Sequence, residues 1–316
     1  MGIRYLNGWL KNECKEAISE IHFSELKYKK IAIDTSIYMY KFMGENNLLE
    51  NMYLLISLLR FYHIVPLFIF DGKPPDEKKE LLAERKKTKL AAKENYYEMM
   101  DLLEECSDPN EKKKLLEKIE DEKKKFVHLT NYHINLVKEL MDLYGVSYCQ
   151  AHGEADTLCA KLVQKKKVWG CISEDTDLFV YGCPRVYRYL NLNKQSLVMY
   201  ETKKILKTLN IRQEEFREIC VLAGTDYNIG TSFTLPKTVK LYEKFKKNKD
   251  KDKEGFYPWL EKTNVIQDYT KLINTYFMFD LSGNSIPSDV FNIHNRAIST
   301  TKLQAFMKEH CRFIYI

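Results

Sequence analysis

No two of the eight cysteines (Cys14, Cys106, Cys149, Cys159, Cys171, Cys183, Cys220 and Cys311) are spaced as C-x-x-C. That spacing argues against a zinc finger or ribbon. Most lie in apolar surroundings and read as reduced, buried thiols of an intracellular protein. Nor does a long apolar run open the chain: Arg4, Asn7, Lys11 and Glu13 interrupt it, so no signal peptide is expected. The most apolar window, NMYLLISLLRFYHIVPLFIF (residues 51–70), contains Arg60, His63 and Pro66. It reads as a helix followed by a strand and not as a membrane span. A glycine-rich phosphate loop, a Ser/His/Asp arrangement and internal repeats are also missing. What remains is a chain of 316 residues, long enough for one large or two modest domains, with an ordinary 45% hydrophobic content. Charge is abundant at 30%, but 50 basic residues against 44 acids leave a net +6. That excess permits a polyanionic partner without identifying one.

Three apolar runs end in acid. KKIAIDTS (Lys29–Ser36) ends at Asp34, IVPLFIFDGKPP (Ile64–Pro75) at Asp71, and KVWGCISEDTD at Asp175 and Asp177. Helix-like periodic segments lie between them, including Leu48–Tyr62 and Ala155–Gln164. Strands alternating with helices predict an α/β fold with a mainly parallel central sheet flanked by helices. Sites in such sheets form at the carboxyl ends of the strands. From Asp76 to Lys125 the sequence is dense in Lys and Glu, with leucines at helical spacing and a break at CSDPNE (106–111). This predicts two long helices joined by a turn. Arg85, Lys86, Lys87, Lys89 and Lys93 gather on the first, which suits a polyanion at that end. A strand-like pair around LNLNKQSLVMY, one helical segment from Glu201 to Ala223, and a turn carrying Asp226 follow. Beyond them lies a basic run from Lys237 to Lys253, mixed with acids and read in part as a surface loop, and then about fifty helical residues.

The acids at element ends are Asp34, Asp71, Glu154, Asp156, Asp175, Asp177 and Asp226. Singly, each is more often a cap or turn residue than a ligand; Glu154 and Asp156 suit the first turn of a helix. If the parallel sheet holds, they converge on one edge. The two-residue spacing of Asp175 and Asp177 in extended backbone would send both side chains to one side and Glu174 to the other, as a bystander. So many carboxylates cannot stay ionised together without cations. Hard divalent ions such as Mg2+, which take oxygen ligands and phosphate at once, resolve the conflict. Two such ions about 4 Å apart can stabilise the attacking and leaving oxygens of a phosphodiester. The expected chemistry is metal-assisted phosphodiester hydrolysis by water.

Six motifs, MGI, IAIDTSIYMY, FIFDGKPP, HGEADTLCAKLV, SEDTDLFVYG and LAGTDY, occur in the order and at about the spacing of the flap endonuclease family of XPG-like structure-specific 5′-nucleases. The likeness runs from Met1 to Tyr227. It implies a PIN-like 5′-nuclease core over residues 1–200, with residues 76–135 as a helical arch for a 5′ single strand. A modified helix-turn-helix-type duplex-binding region with a basic loop would follow at 201–260, and a C-terminal helical segment at 261–316. It implies that the seven acids hold two Mg2+ ions, with Mn2+ able to substitute, and that Lys78 and Arg85 face the scissile phosphate. Tyr40 would stack on the neighbouring base, although a core tyrosine is about as natural a reading there. Gly2 would permit close approach at the N-terminus, while Lys86, Lys87, Lys93, Lys237 and Lys240 are expected to be further DNA contacts.

Three departures modify this. Asp156 stands where the family usually has Glu. SFTLPKT (Ser232–Thr238) replaces a glycine-rich hairpin, so the family's K+ site is not expected to persist intact and the grip on duplex is expected to change. QAFMKEHC starts like a sliding-clamp motif but lacks its aromatic pair, so a clamp is not assigned as a partner. The expected activity is 5′-flap endonuclease with 5′-3′ exonuclease, by a monomer acting on branched DNA at a site of replication or repair, without a membrane. A non-catalytic junction binder of the same fold and an exonuclease or bubble-type nuclease are the alternatives. The lysine runs are too broken by acids to read as a nuclear signal.

Overall fold

A computed structural model of the chain describes residues 2–248, 254–283, 286 and 293–311. In chain order the first elements are α1 (Leu6–Glu13), β1 (Ile18–His22), β2 (Lys30–Asp34), α2 (Thr35–Gly44), α3 (Leu48–Phe61) and β3 (Val65–Phe70). A helical hairpin follows, α4 (Lys79–Glu105) and α5 (Pro109–Lys125), then α6 (Asn131–Tyr144), β4 (Ser147–Gln150), α7 (Ala155–Gln164) and β5 (Gly170–Ile172). The rest comprises α8 (Asp177–Val180), β6 (Arg185–Asn191), β7 (Ser196–Glu201), α9 (Thr202–Leu209), α10 (Gln213–Ala223), α11 (Leu235–Lys246), α12 (Phe256–Lys262), α13 (Thr270–Met278) and α14 (Thr300–His310).

The seven strands form one sheet in the order β1-β7-β6-β5-β2-β3-β4. The run from β6 to β4 is parallel, and β7 and β1 close one edge antiparallel. Strand alternation splits the apolar residues between two cores. Ala32, Leu67, Ile69 and Cys171 face α1, α7, α8 and α10 on one side. Ile31, Ile33, Phe68, Phe70 and Ile172 face α2, α3, α6 and α14 on the other. Parallel strands buried on both faces explain the near-continuous apolar runs in the sequence. Cys14, Cys159, Cys171, Cys183 and Cys220 are all buried in the first core. Among the described residues no helix is long and apolar enough to cross a membrane.

Several expectations are corrected in detail. The helical stretch Glu201–Ala223 is two helices, because Asn210 adopts the left-handed conformation that ends α9. The charged hairpin stops at Lys125, and residues 131–135 already belong to α6, which carries Val137, Leu140 and Met141 into the core. Tyr96 meets Phe126 at 5.4 Å, and Lys89 donates to the Val127 carbonyl, closing the hairpin's base. The first part of the basic run is helical, with Lys237, Lys240, Lys244 and Lys246 on α11. Lys249, Lys251 and Lys253 lie outside the described residues. The clamp-like stretch QAFMKEHC falls mostly within α14, where Phe306 and Met307 are buried in the second core. Side chains close the turn after α10, and the SFTLPKT stretch beyond it runs into α11 at Leu235. Asn228 accepts from the Thr225 amide at 2.8 Å and donates to the Val221 carbonyl at 2.8 Å, and Thr231 donates to the Leu222 carbonyl.

Candidate active site

The acids arrive from five places along one rim of the sheet. Asp34 is the last residue of β2 and the N-cap of α2; Asp71 follows β3. Glu154 and Asp156 stand at the start of α7, Asp175 and Asp177 follow β5, and Asp226 lies in the turn after α10. Close backbone contact sets the first loops. The Gly72 amide donates to the Gly153 carbonyl at 2.7 Å, and a Cβ on Gly72 would stand 2.1 Å from the Ala151 carbonyl oxygen. Only glycine lets the Asp71 loop lie so close to the Glu154 loop. The Asp71 carboxylate then accepts from the Ala155 amide at 2.9 Å, at the amino end of α7.

Asp175 and Asp177 are neighbours for a different reason from the one their spacing suggested. β5 ends at Ile172, so neither lies in extended strand. Asp177 opens α8, and its amide donates to Asp175 Oδ1 at 3.0 Å, an Asx turn. Ser173 ties the turn to β2: its hydroxyl donates to Asp34 at 2.9 Å and accepts from the Asp175 amide at 3.1 Å. Glu174 does turn away from the cluster, but it is not a bystander. Its carboxylate accepts from the Tyr189 amide at 2.6 Å, and its carbonyl accepts from Arg188, which also donates to Asn7.

Burial raises the pKa of Asp34, Asp156, Asp175 and Asp177 above the usual carboxylate range, and neighbouring carboxylates push in the same direction. For Asp177 those neighbours are Asp175, Asp226 and Asp156. Asp177 is fully buried and, among the described residues, neither of its carboxylate oxygens has a hydrogen-bond partner. An ionised carboxylate left so is costly and calls for a cation.

Two side chains from the hairpin's base supply positive charge. Lys78 is 6% exposed and bonds Glu154, with Asp226 3.5 Å away. Burial disfavours its ammonium, but Glu154, Asp156 and Asp177 outweigh that and raise its pKa. Arg85 reaches Asp226 at 2.9 Å. Neither is ordinary surface charge. Among the described residues no three acids already stand ready around a common point. Glu154 and Asp226 are engaged instead by these cations. A donor set of seven carboxylates, one with both oxygens unpartnered, nevertheless fits hard divalent ions.

Gly2 lies against the same turn. A Cβ there would come within 2.4–2.6 Å of Thr176 Oγ1, Asp175 Oδ1 and Asp177 Oδ1, and its φ is +77°. Tyr40 is 44% exposed beneath the Lys89 ammonium, whereas Tyr38 is buried, so the core tyrosine of that helix is Tyr38. Lys86, Lys87 and Lys93 are exposed along α4; Lys237 and Lys240 are exposed on α11, where Lys237 lies over Phe233. The structure gives none of these five a contact with the acids.

Sequence reasoning missed the tyrosines behind the site. Tyr227 donates to Glu154 at 2.5 Å; Tyr181 bonds Tyr227 at 2.8 Å and accepts from Thr157 at 3.0 Å. Both sit in quoted motifs, directly after apolar or acidic residues, but only their tertiary partners reveal their task.

Comparison with known proteins points the same way. The XPG N-terminal domain model matches residues 1–92 and the XPG I-region model residues 145–226. Flap endonuclease 1 of Glycine max is 33% identical over 246 residues, covering 72% of this chain; the chain spans 62% of that relative's length. A probable RAD2-like endonuclease of Invertebrate iridescent virus 3 is 30% identical over 285 residues, covering 72% of this chain and 74% of the viral protein. The catalytic core of Rad2 in complex with DNA substrate shares the fold, with a TM-score of 0.68 at 22% identity over 98% of this chain and 95% of that one. The two matched segments contain all seven acids together with Lys78 and Arg85, and the chain belongs to the XPG-like, flap-endonuclease-type nuclease family.

Proposed function

We propose that the chain is a Mg2+-dependent, structure-specific endonuclease that cuts branched DNA near the junction of a 5′ single strand and duplex, with associated 5′-3′ exonuclease activity. The observation that carries this reading is the buried, unpartnered Asp177 carboxylate within a rim of seven acids. Asp34, Asp71, Glu154, Asp156, Asp175, Asp177 and Asp226 would hold two divalent ions, with Mn2+ able to replace Mg2+. When bound, these ions would activate a water and neutralise charge on the phosphodiester.

The chain's own residues do the rest. Lys78 and Arg85, already among the acids, place fixed positive charge where the phosphoryl oxygens gain negative charge. Their present partners, Glu154 and Asp226, would pass from cation pairing to metal binding as substrate phosphate arrives. Tyr40 offers a half-exposed ring at the mouth of the site for stacking on a base. The α4–α5 hairpin would bound the path of the single strand, with Lys86, Lys87 and Lys93 along it, and Lys237 and Lys240 on α11 would meet duplex phosphates. The working boundaries are a nuclease core to about residue 200, a duplex-binding region to about 260, and a helical segment beyond. The relatives named flap endonuclease 1, and the solved Rad2 core bound to DNA, support this class of substrate.

The test is incubation of the purified chain with labelled double-flap, bubble and blunt substrates, with and without Mg2+. Metal-dependent cleavage at the flap junction is expected. Wild-type protein that leaves every substrate intact, or an Asp175→Ala/Asp177→Ala variant that cuts as well as wild type, would refute it.

A further inference from the structure

The opposite rim of the sheet is basic and aromatic. Four adjacent strands, β6, β5, β2 and β3, begin there, which spans three inter-strand spacings or roughly 14 Å. The segments leading into β2, β3 and β5 are KYKK (27–30), FYHIV (61–65) and KKKVWG (165–170), with six lysines and no acid between them. Arg185 opens β6 beside them. They are joined structurally. The Trp169 amide donates to the Lys30 carbonyl at 2.7 Å, and Arg185 donates to the Trp169 carbonyl at 3.1 Å. The Lys29 ammonium and the Arg185 guanidinium stand 4.4 and 3.7 Å from the Trp169 ring centre.

The rings on this rim are not in the core. Tyr28 is 71% exposed, Phe61 73% and Trp169 40%. Tyr28 stacks on His63 at 5.6 Å with 20° between planes, and the Lys27 ammonium lies 5.0 Å from its ring centre, so an exposed ring and a lysine stand together. Tyr28, His63 and Lys166 all have positive φ, which is uncommon for such residues and turns these loops sharply. Beside them a groove of about 700 Å3 is lined by Tyr28, Arg60, Phe61 and His63. The nearest acid on the neighbouring strand, Glu201, is taken by Lys204.

We propose that this rim is a second binding surface, for single-stranded nucleic acid. Lysines on flexible stems would follow the phosphates while Tyr28 and Phe61 stack on bases, the combination that binds single strands without reading sequence. An acidic protein segment would use the lysines but leave the exposed rings without a role. Since β2 runs from Lys30 at this rim to Asp34 at the other, the two sites stand roughly 13 Å apart through the sheet. A strand segment bound here is therefore distinct from the nucleotides held at the acids.

The experiment is anisotropy of a short fluorescein-labelled oligo(dT) with the full chain in EDTA, as a function of salt. Lys165→Glu/Lys166→Glu is expected to weaken binding on the order of tenfold and to flatten the log K against log salt slope by about 1.4. Tyr28→Ala is expected to weaken it on the order of tenfold, with the slope unchanged. Both variants should cut a flap substrate too short to span both rims at the wild-type rate. Lys165→Ala/Lys166→Ala, a milder change at exposed positions, should show the same direction and so exclude misfolding. Unchanged oligo(dT) binding by the charge-reversed variant would overturn the proposal. So would oligoglutamate displacing oligo(dT) as effectively as unlabelled oligo(dT) does, which would assign the surface to an acidic protein.

Discussion

Tyr227 donates its phenolic hydroxyl to Oε2 of Glu154, while Lys78 takes Oε1 of the same carboxylate and lies 4.9 Å from the centre of the Tyr227 ring. Tyrosine and lysine together fix the orientation of Glu154 before any ligand arrives. Removing a residue that orients a metal-binding carboxylate typically lowers metal affinity by about 10–100-fold. Tyr227→Phe removes the donor and keeps the ring. The Mg2+ concentration for half-maximal cleavage should rise about tenfold, with kcat at saturating Mg2+ little changed. Metal titration of cleavage and calorimetric Mg2+ binding both report it.

Asp177 sits where stability and activity pull apart. Its carboxylate is buried, unpartnered and surrounded by Asp175, Asp226 and Asp156. Asp177→Asn removes the charge and keeps the shape. In EDTA at pH 8 the variant should be more stable than wild type, by on the order of 1 kcal/mol, and its Tm should rise by a few degrees. Cleavage should fall by roughly two orders of magnitude or more. Thermal melts with and without Mg2+, run beside the flap assay, separate the two effects. A less stable variant would contradict the account of Asp177 as a charge that Lys78 only partly compensates.

The pH dependence has a definite sign. Asp34, Asp156, Asp175 and Asp177 titrate above their ordinary value of 3.8 in the folded chain, burial being the largest cause for each. Between that value and the raised one, the folded state binds more protons than the unfolded state. The stability of the metal-free protein therefore falls as pH rises through this window. Denaturant midpoints measured in EDTA should decrease from pH 5 towards neutrality. Saturating Mg2+ should flatten or reverse the trend, because cations replace the protons. Rising stability in EDTA over that range would be the contrary result.

Arg188 holds the Asp175–Asp177 turn from behind. It is buried, donates to the Glu174 carbonyl at 2.8 Å and to Asn7 at 2.7 Å, and pairs with the Glu174 carboxylate at 3.6 Å. Arg188→Ala removes the charged partner of Glu174 and one of the two donors to Asn7 Oδ1, leaving the Tyr189 amide on Glu174 and Tyr200 on Asn7, at a cost of about 2–4 kcal/mol. Cleavage should drop even where the variant remains folded, since the Asp175–Asp177 turn loses its anchor. Urea unfolding gives the first quantity and single-turnover cleavage at low temperature the second.

Much of this was legible in the sequence, and the reasons differ by residue. Asp34 and Asp71 could be read because a buried strand ending in acid is a local pattern. Glu154 and Asp156 could be read because acids at a helix start are local as well. Asp175 and Asp177 were paired by strand alternation, but a hydrogen bond from one to the other brings them together, because β5 is only three residues long. The burial of Lys78 could not be read at all: within its own lysine-rich stretch it looks like any surface cation, and its environment comes from Glu154 and Asp226. Tyr181 and Tyr227 were invisible for the same reason. Gln304–Cys311 starts like a docking motif without completing it, and its apolar residues Phe306 and Met307 face the protein's own core.

The acids are scattered along the chain, and Arg85 meets Asp226 across 141 positions of sequence. No short stretch assembles the site by itself, and its pieces are drawn together only after long loops have closed. On the proposed function, a chain still emerging from the ribosome lacks Asp226 until most of its length has been made, and so has no means of cutting nucleic acid. The order of synthesis then works as a safety interval, in which the cutting edge stays unfinished until Asp226 joins the acids made before it.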